Sequence, residues 1–146
     1  MSKLKIALAG FAVLALASCA TYKENMPSWM PGSSAIGVKL SPAEEVPPAQ
    51  SSGSGSGSIR VAEDGSVSGS VSTTGVQGTM AHIHQGAKGA NGPVIVPLTK
   101  SGDTYTVPAG AKLNAAQMSA LKSGGLYVNV HSDKYKGGEV RGQLQP

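Results

Sequence analysis

Alternation of apolar and polar residues dominates the chain from residue 35 onward. Short segments rich in Val, Ile, Thr and Tyr are separated by Gly, Ser and Pro, which is typical of a β-sandwich or barrel. Residues two apart in a strand share a face, so the apolar members of each segment face the core. We therefore predict an all-β domain over residues 35–146. Its predicted strands are residues 36–40, 58–62, 66–72, 78–84, 94–98, 104–107, 126–131 and 139–144.

Turn and helix signals divide these strands. The Ser-Gly run at residues 51–58 is predicted to begin as a loop and to end as the start of a strand, because the residues that follow alternate cleanly. Asp64-Gly65 suits a hairpin turn with positive φ. One short helix is predicted at residues 115–122, with Asn114 as its N-cap and Gly124 as the residue that ends it.

The first 18 residues have the features of a bacterial lipoprotein signal peptide. Two lysines precede an apolar stretch at residues 6–17, which is too short to span a bilayer. The stretch ends in Leu16-Ala17-Ser18-Cys19, which resembles a lipobox. The resemblance implies cleavage before Cys19 and lipidation of Cys19, so we expect a lipid anchor that attaches the protein to a membrane.

The residues after Cys19 are predicted to tether the domain to that anchor. Residues 19–34 contain Pro27 and Pro31 and show no periodicity. The alternative for this segment is a copper contact through the thioethers of Met26 and Met30. Ala20 and Thr21 follow Cys19 without an aspartate, which resembles lipoproteins sent to the outer membrane. We expect a cell-envelope protein, periplasmic or on the outer membrane.

The composition limits the cysteine chemistry and the partners that we expect. Cys19 is the only cysteine, so lipidation leaves neither a disulfide nor a free thiolate. The whole chain carries 12 basic and 8 acidic residues, a formal net charge of +4. Two of the lysines lie in the predicted signal peptide, and no run of basic residues exists elsewhere. Nucleic acid is therefore not an expected partner, and the sequence does not identify a protein partner.

The three histidines of the chain fall in two predicted strands. His82 and His84 are two residues apart and project to the same face, while His131 ends the other strand. If the strands are neighbours, the three imidazoles form a cluster that suits copper or zinc. The alternative is a solvated polar face beside a packed His131.

Met80 shares the predicted face of His82 and His84. A thioether next to imidazoles favours copper, since soft sulfur selects Cu(I). The alternative is a buried methionine that fills a gap in the core. The sequence thus predicts copper as the metal, with zinc less favoured, and His82, His84, His131 and Met80 as candidate ligands.

Several motifs resemble the CHRD domain, a β-module of chordin and of many bacterial exported proteins. They run in order along most of the mature chain. The resemblance implies an exported β-domain over residues 35–146 and an interaction role that needs no metal. The motifs are Glu45-Val46-Pro47-Pro48, Ala81-His82-Ile83-His84-Gln85-Gly86, Gly125-Leu126-Tyr127-Val128-Asn129-Val130-His131 and Gly138-Glu139-Val140-Arg141-Gly142.

The histidine strands also show a partial resemblance to copper-zinc superoxide dismutases. That resemblance covers His82, His84, His131 and Arg141, and it implies a copper site on the outside of a Greek-key barrel with Arg141 in its second shell. The histidines for a zinc site, the paired cysteines and the long loops of that family are missing. We expect a Greek-key sandwich or barrel, superoxide-dismutase-like or immunoglobulin-like, with one short helix.

These signals predict an envelope lipoprotein that binds copper for storage, transfer or redox cycling. The alternatives are a metal-free interaction module and a copper-dependent oxidoreductase, which the sequence permits but does not require. The last two strands also place His131 near Glu139 or Arg141 on one outer face. For Glu139 we expect a local ion pair of little energetic weight.

Overall fold

The computed structural model describes residues 35–146, so the predicted signal peptide, Cys19 and the tether with Met26 and Met30 lie outside the described residues. Two antiparallel sheets make up this part of the chain. Sheet A has the strand order β1-β2-β3-β7-β6, and sheet B has the order β5-β4-β8-β9. The strands are β1 Ala35–Leu40, β2 Ser54–Val61, β3 Val67–Thr74, β4 Gly78–Gln85, β5 Val94–Pro97, β6 Thr99–Ser101, β7 Thr104–Thr106, β8 Leu126–Ser132 and β9 Val140–Leu144.

The prediction of an all-β sandwich with one short helix is confirmed. The apolar members of each alternating strand fill the space between the sheets. In β1, for example, Ile36, Val38 and Leu40 are buried while the residues between them are exposed. The core is built almost entirely from aliphatic side chains, including Ile59, Val71, Ile83, Leu126, Val128, Val130, Val140 and Leu144.

The two sheets meet along one edge, where the end of β1 in sheet A lies next to β9 in sheet B. Ser41 and Arg141 exchange two backbone hydrogen bonds, with nitrogen–oxygen distances of 2.9 and 3.1 Å. A side chain at Gly142 would collide with the carbonyl oxygen of Lys39, so glycine permits this close approach. The sandwich is therefore partly closed into a barrel at this edge.

The helix α1, Ala115–Lys122, lies where the sequence predicts it. Asn114 and Gln117 form a reciprocal capping box, with N–O distances of 2.9 and 2.8 Å between side chain and backbone. Leu121 buries one side of the helix, and Gly124 follows its end with a φ of +70°. Across residues 35–146, no helix has the length and apolar character needed to cross a bilayer.

Most strand boundaries shift by one or two residues from the prediction, and two differences have a clear physical reason. Strand β2 begins at Ser54, inside the Ser-Gly run, because its glycines allow a close pairing with β3. The segment predicted as one strand at residues 94–98 ends at Pro97, and a separate strand β6 follows in the other sheet. Proline lacks a backbone donor, which favours a break in pairing at that point.

A second layer of chain covers the outer face of sheet B. It consists of residues 41–51, which include a 3-10 helix at Pro42–Glu44, and of the loop at residues 86–93. The Asn91 amide donates to the carbonyl of Val46 at 2.7 Å and joins the two segments. Beneath this covering layer, the outward-facing Tyr127 and Asn129 of β8 are each 2% exposed.

Candidate metal centre

The neighbouring strands β4 and β8 bring the three histidines together on the covered face of sheet B. The antiparallel register places Met80 opposite His131 and His82 opposite Asn129. The apolar residues Ala81 and Ile83 of β4 point into the core, so His82 and His84 point away from it. Each of the three residues offers a ring nitrogen, and these nitrogens all lie within 4.8 Å of one another.

Backbone carbonyls fix the orientation of two of the imidazoles. His84 donates from Nδ1 to the carbonyl of Gly92 at 2.9 Å, and His131 donates from Nδ1 to the carbonyl of Lys136 at 2.9 Å. A carbonyl only accepts, so both rings carry their proton on Nδ1 and keep a lone pair on Nε2. Carbonyl support of this kind is typical of metal-binding histidines.

The free lone pairs point into one small volume. The Nε2 atom of His84 is buried and has no hydrogen-bond partner among the described residues. The Nε2 atom of His131 lies 3.1 Å from Nδ1 of His82, a distance at which the two nitrogens share one proton. A metal ion that binds these nitrogens at about 2.0–2.1 Å would replace that proton and provide a partner for the buried His84 nitrogen.

The surroundings lower the pKa of two of the imidazoles, those of His82 and His131. Burial, followed by repulsion from His131 and then from His84, lowers the pKa of His82 from 6.5 to about 4. Burial also lowers the pKa of His131, although its hydrogen bond to the Lys136 carbonyl opposes this effect. Neutral imidazole is the form that binds metals, so these two ligands need not lose protons to bind near pH 7.

Met80 lies at the edge of the cluster with its side chain 50% exposed. The alternative of a buried methionine that fills a core gap is therefore wrong. Its Cα is opposite that of His131, and it is two residues from His82 on the outward side of β4. Its thioether is accessible from solvent beside the imidazoles.

Arg141 does not lie where the sequence suggested. It is opposite Asn129 rather than His131, and it is only 1% exposed. Its guanidinium donates to the carbonyls of Ala87 and Ala90 at 3.0 and 2.9 Å, which holds the loop over sheet B.

A stack of rings connects Arg141 to the histidine cluster. The guanidinium carbon lies 3.4 Å from the centre of the Tyr127 ring, and Tyr127 stacks on His84 with ring centres 4.8 Å apart and an interplanar angle of 2°. The Tyr127 hydroxyl accepts from the backbone N–H of Gly92 at 3.2 Å, the same residue that supports His84. Sequence reasoning missed Tyr127 as a positioning residue, although its place two residues from Asn129 on the outward side of β8 was a usable signal.

Glu45 is a second residue that sequence reasoning missed. It is 4% exposed, and a side chain at Gly138 would collide with its carboxylate. Burial raises the pKa of Glu45 from 4.5 to about 7, against the opposing effects of Arg141 and then of Asn129. Polar atoms of Glu45 and Asn129 are also left without hydrogen-bond partners, so the covered face holds a polar cluster next to the imidazoles.

Glu139 also differs from expectation. It is 7% exposed and accepts a hydrogen bond from the Ser51 hydroxyl at 2.7 Å. The ion pairs found within residues 35–146 are Lys88 with Glu44 and Lys112 with Asp64, so the predicted ion pair of Glu139 is wrong. Glu139 lies beside His131, at the rim of the covered face.

The fold and this cluster define a β-sandwich protein with a candidate three-histidine metal centre on one face. Comparison with known families matches residues 36–144 to the CHRD domain, and the chain belongs to the CHRD-domain family. CHRD domains are typical of extracytoplasmic proteins. Comparison with curated proteins and with solved structures gives no match.

Proposed function

We propose that this protein is a copper-binding lipoprotein of the cell envelope. The observation that carries the proposal is the convergence of three imidazoles, two of them oriented by backbone carbonyls. His84 and His131 would bind through Nε2, and His82 through Nδ1. The extracytoplasmic character of the family supports an envelope location.

Copper suits this donor set better than zinc. Three nitrogen ligands bind Cu(II) more tightly than Zn(II) by the Irving–Williams order, and an accessible thioether favours Cu(I). The exposure of Met80, and its position opposite His131 in the strand register, support it as the source of that thioether. Arg141 acts at a distance, through the Tyr127 ring that holds His84.

Storage or transfer of copper is the role we favour. His82 is only partly buried and Met80 is exposed, so an ion bound here could enter and leave without opening the core. The same access would allow redox turnover, which makes a copper-dependent oxidoreductase the second candidate. A metal-free interaction module is the third, and it requires that the imidazoles serve packing alone.

Equilibrium dialysis of the purified protein against Cu(II) and Zn(II) tests the metal assignment. We expect one copper ion per chain, with tighter binding of copper than of zinc. The variants His82→Ala and His131→Ala should weaken copper binding to a similar extent. Lys136→Ala should leave binding unchanged, since His131 uses the backbone carbonyl of that residue rather than its side chain.

Each outcome separates the candidates. Tighter binding of zinc contradicts the copper assignment, and the absence of any metal binding favours the interaction module. Loss of binding in His82→Ala but not in His131→Ala would show that the two strands do not share an ion. Superoxide turnover near the diffusional ceiling of about 10⁹ M⁻¹s⁻¹ would favour the enzyme.

Acid should release the metal at a lower pH than ordinary histidines would allow. Histidines with the usual pKa would lose copper below about pH 6. Because the pKa of His82 is lowered to about 4, protons compete less well for its nitrogen, and we expect copper retention to extend well below pH 6. A dialysis series over decreasing pH measures this, and half-release at pH 6 or above would contradict it.

The membrane anchor is tested at Cys19. The Leu16-Ala17-Ser18-Cys19 segment supports lipidation of Cys19. Cys19→Ser should give an unprocessed or soluble product. If a mature-sized protein still fractionates with membranes, the anchor proposal is wrong.

A further inference from the structure

A polar groove lies at the rim of the sandwich, and its lining, which includes Ser132 next to His131, contains none of the three imidazoles. It has a volume of about 470 Å³ and is formed by residues 50–52, the turn at residues 75–77 and the connection between β8 and β9. This volume is in the range of about 300–1,000 Å³ that is usual for small-molecule sites. Its lining includes Gln50, Ser52, Gln77, Asp133, Tyr135 and Glu139.

Glu139 gives the groove a nearly buried carboxylate. The residue is 7% exposed, accepts from the Ser51 hydroxyl at 2.7 Å and has no cationic partner within residues 35–146. A carboxylate has about four acceptor positions, so one hydroxyl leaves most of its capacity unused. Because the carboxylate lines the groove, its remaining acceptor positions favour a ligand that brings hydrogen-bond donors.

The remaining lining both donates and accepts. Gln77 and Ser52 are exposed at the rim, and amide and hydroxyl groups can each do both. The Lys134 ammonium lies 5.1 Å from the centre of the Tyr135 ring, so the groove already contains a cation beside its aromatic side chain. A ligand that carries hydroxyl groups matches this mixture better than a cationic amine, which only donates.

The groove continues into an exposed row of hydroxyl groups on sheet A. Ser52 and Gly75 line the groove, and just beyond them the cross-strand pair Ser54 and Thr74 begins the pairing of β2 with β3. The following pair on the same outer face is Ser56 with Ser72. A ligand longer than the groove would therefore meet further hydroxyls in the direction of sheet A.

We infer that this groove binds a saccharide, with the Glu139 carboxylate accepting from neighbouring ring hydroxyls and Gln77 and Ser52 holding the rim. The site is separate from the proposed copper function and does not depend on it. Tyr135 provides a ring face for the apolar side of a sugar. The pairs Ser54–Thr74 and Ser56–Ser72 extend the site for a longer chain.

Calorimetric titration of the full chain in mild detergent with chitotriose and with cellotriose tests the inference. We expect saturable binding of at least one sugar. Ser52→Ala and Gln77→Ala should each weaken it about fivefold, the effect of losing one hydrogen bond. Ser119→Ala, an exposed change of the same kind on α1, should leave it unchanged.

Glu139→Gln should weaken sugar binding most strongly, and its thermal unfolding shows whether the variant is folded. The exposed Gln77→Ala variant carries the test if Glu139→Gln is not folded. Absence of saturable binding of both sugars up to about 50 mM, well above the millimolar range of weak ligands, overturns the inference. Unchanged binding in Gln77→Ala overturns it as well. His82→Ala should retain sugar binding, and a loss there would show that the sugar binds at the imidazoles instead.

Discussion

The outer faces of the two sheets differ although the same alternation produces both. On sheet A, the outward positions of β2 and β3 are small hydroxyl residues that face solvent, such as Ser56 and Ser72. On sheet B, the outward positions of β8 are the large polar residues Tyr127, Asn129 and His131, and none is more than 8% exposed. The second layer of chain, residues 41–51 and 86–93, accounts for the difference.

This comparison shows how a sandwich can hold a polar site outside its apolar core. Covering the outer face removes water from imidazole, carboxylate and guanidinium groups, so the hydrogen bonds that these groups form inside the protein become more important. The lowered pKa of His82 and the raised pKa of Glu45 both have burial as their largest cause. The uncovered face of sheet A has no comparable cluster among its outward residues.

The largest expected effect comes from removing the cation that holds the covering loop. Arg141→Ala should lower the free energy of unfolding by about 3 kcal/mol, because it removes a buried side chain, its two hydrogen bonds to the carbonyls of Ala87 and Ala90, and its packing on Tyr127. Lys39→Ala, at an exposed position of sheet A, should cost less than about 0.5 kcal/mol. Urea unfolding of both variants measures the difference, and equal costs would contradict the proposed importance of the covering layer.

Glu45 should make the covered face sensitive to alkaline pH. Its pKa is raised from 4.5 to about 7, so its contribution to stability is present below pH 4.5 and is lost as pH rises through 7. Glu45→Gln stays neutral, so it should match the wild type near pH 4 and exceed it by about 2–3 kcal/mol at pH 8. The comparison uses metal-free protein at both pH values. A wild type that gains stability relative to Glu45→Gln between these values would contradict the assignment.

Replacing either of two buried tyrosines, one in each sheet, with phenylalanine should have a smaller effect on stability. The two variants form a matched pair. Tyr127→Phe in sheet B removes the acceptor for the Gly92 N–H and should cost about 1 kcal/mol. The Tyr105 hydroxyl in sheet A is buried and has no hydrogen-bond partner among residues 35–146, so Tyr105→Phe should be neutral or slightly stabilising. Thermal unfolding of the two variants checks the prediction, which fails if Tyr105→Phe is the more damaging change.

The smallest effect on stability is expected for a substitution on the uncovered outer face of sheet A. Ser72 forms an exposed hydrogen bond of 2.9 Å with the Thr104 hydroxyl. Because water can replace this partner, Ser72→Ala should change the free energy of unfolding by less than about 0.5 kcal/mol. A loss above about 1 kcal/mol in urea unfolding would show that the hydroxyl face of sheet A stabilises the fold.

The sequence by itself determined the features that depend on neighbours along the chain. Alternation placed Val128 and Val130 in the core and His131 away from it, and the Asn114 capping signal located α1 at its observed bounds. The spacing of His82 and His84 fixed their common face, since side chains alternate in any strand. The CHRD motifs were also recognisable, and the family is confirmed over residues 36–144.

Only the tertiary structure decided what lies above the outer face of sheet B. The contact of Ser51 with Glu139 joins residues 88 positions apart, and alternation along a strand carries no information on such pairs. Periodicity separates inside from outside for one sheet, but it does not show whether a further segment of chain covers the outside. For that reason the sequence suggested an ion pair for Glu139 and left the role of Arg141 undecided, whereas both side chains are buried by segments distant in the chain.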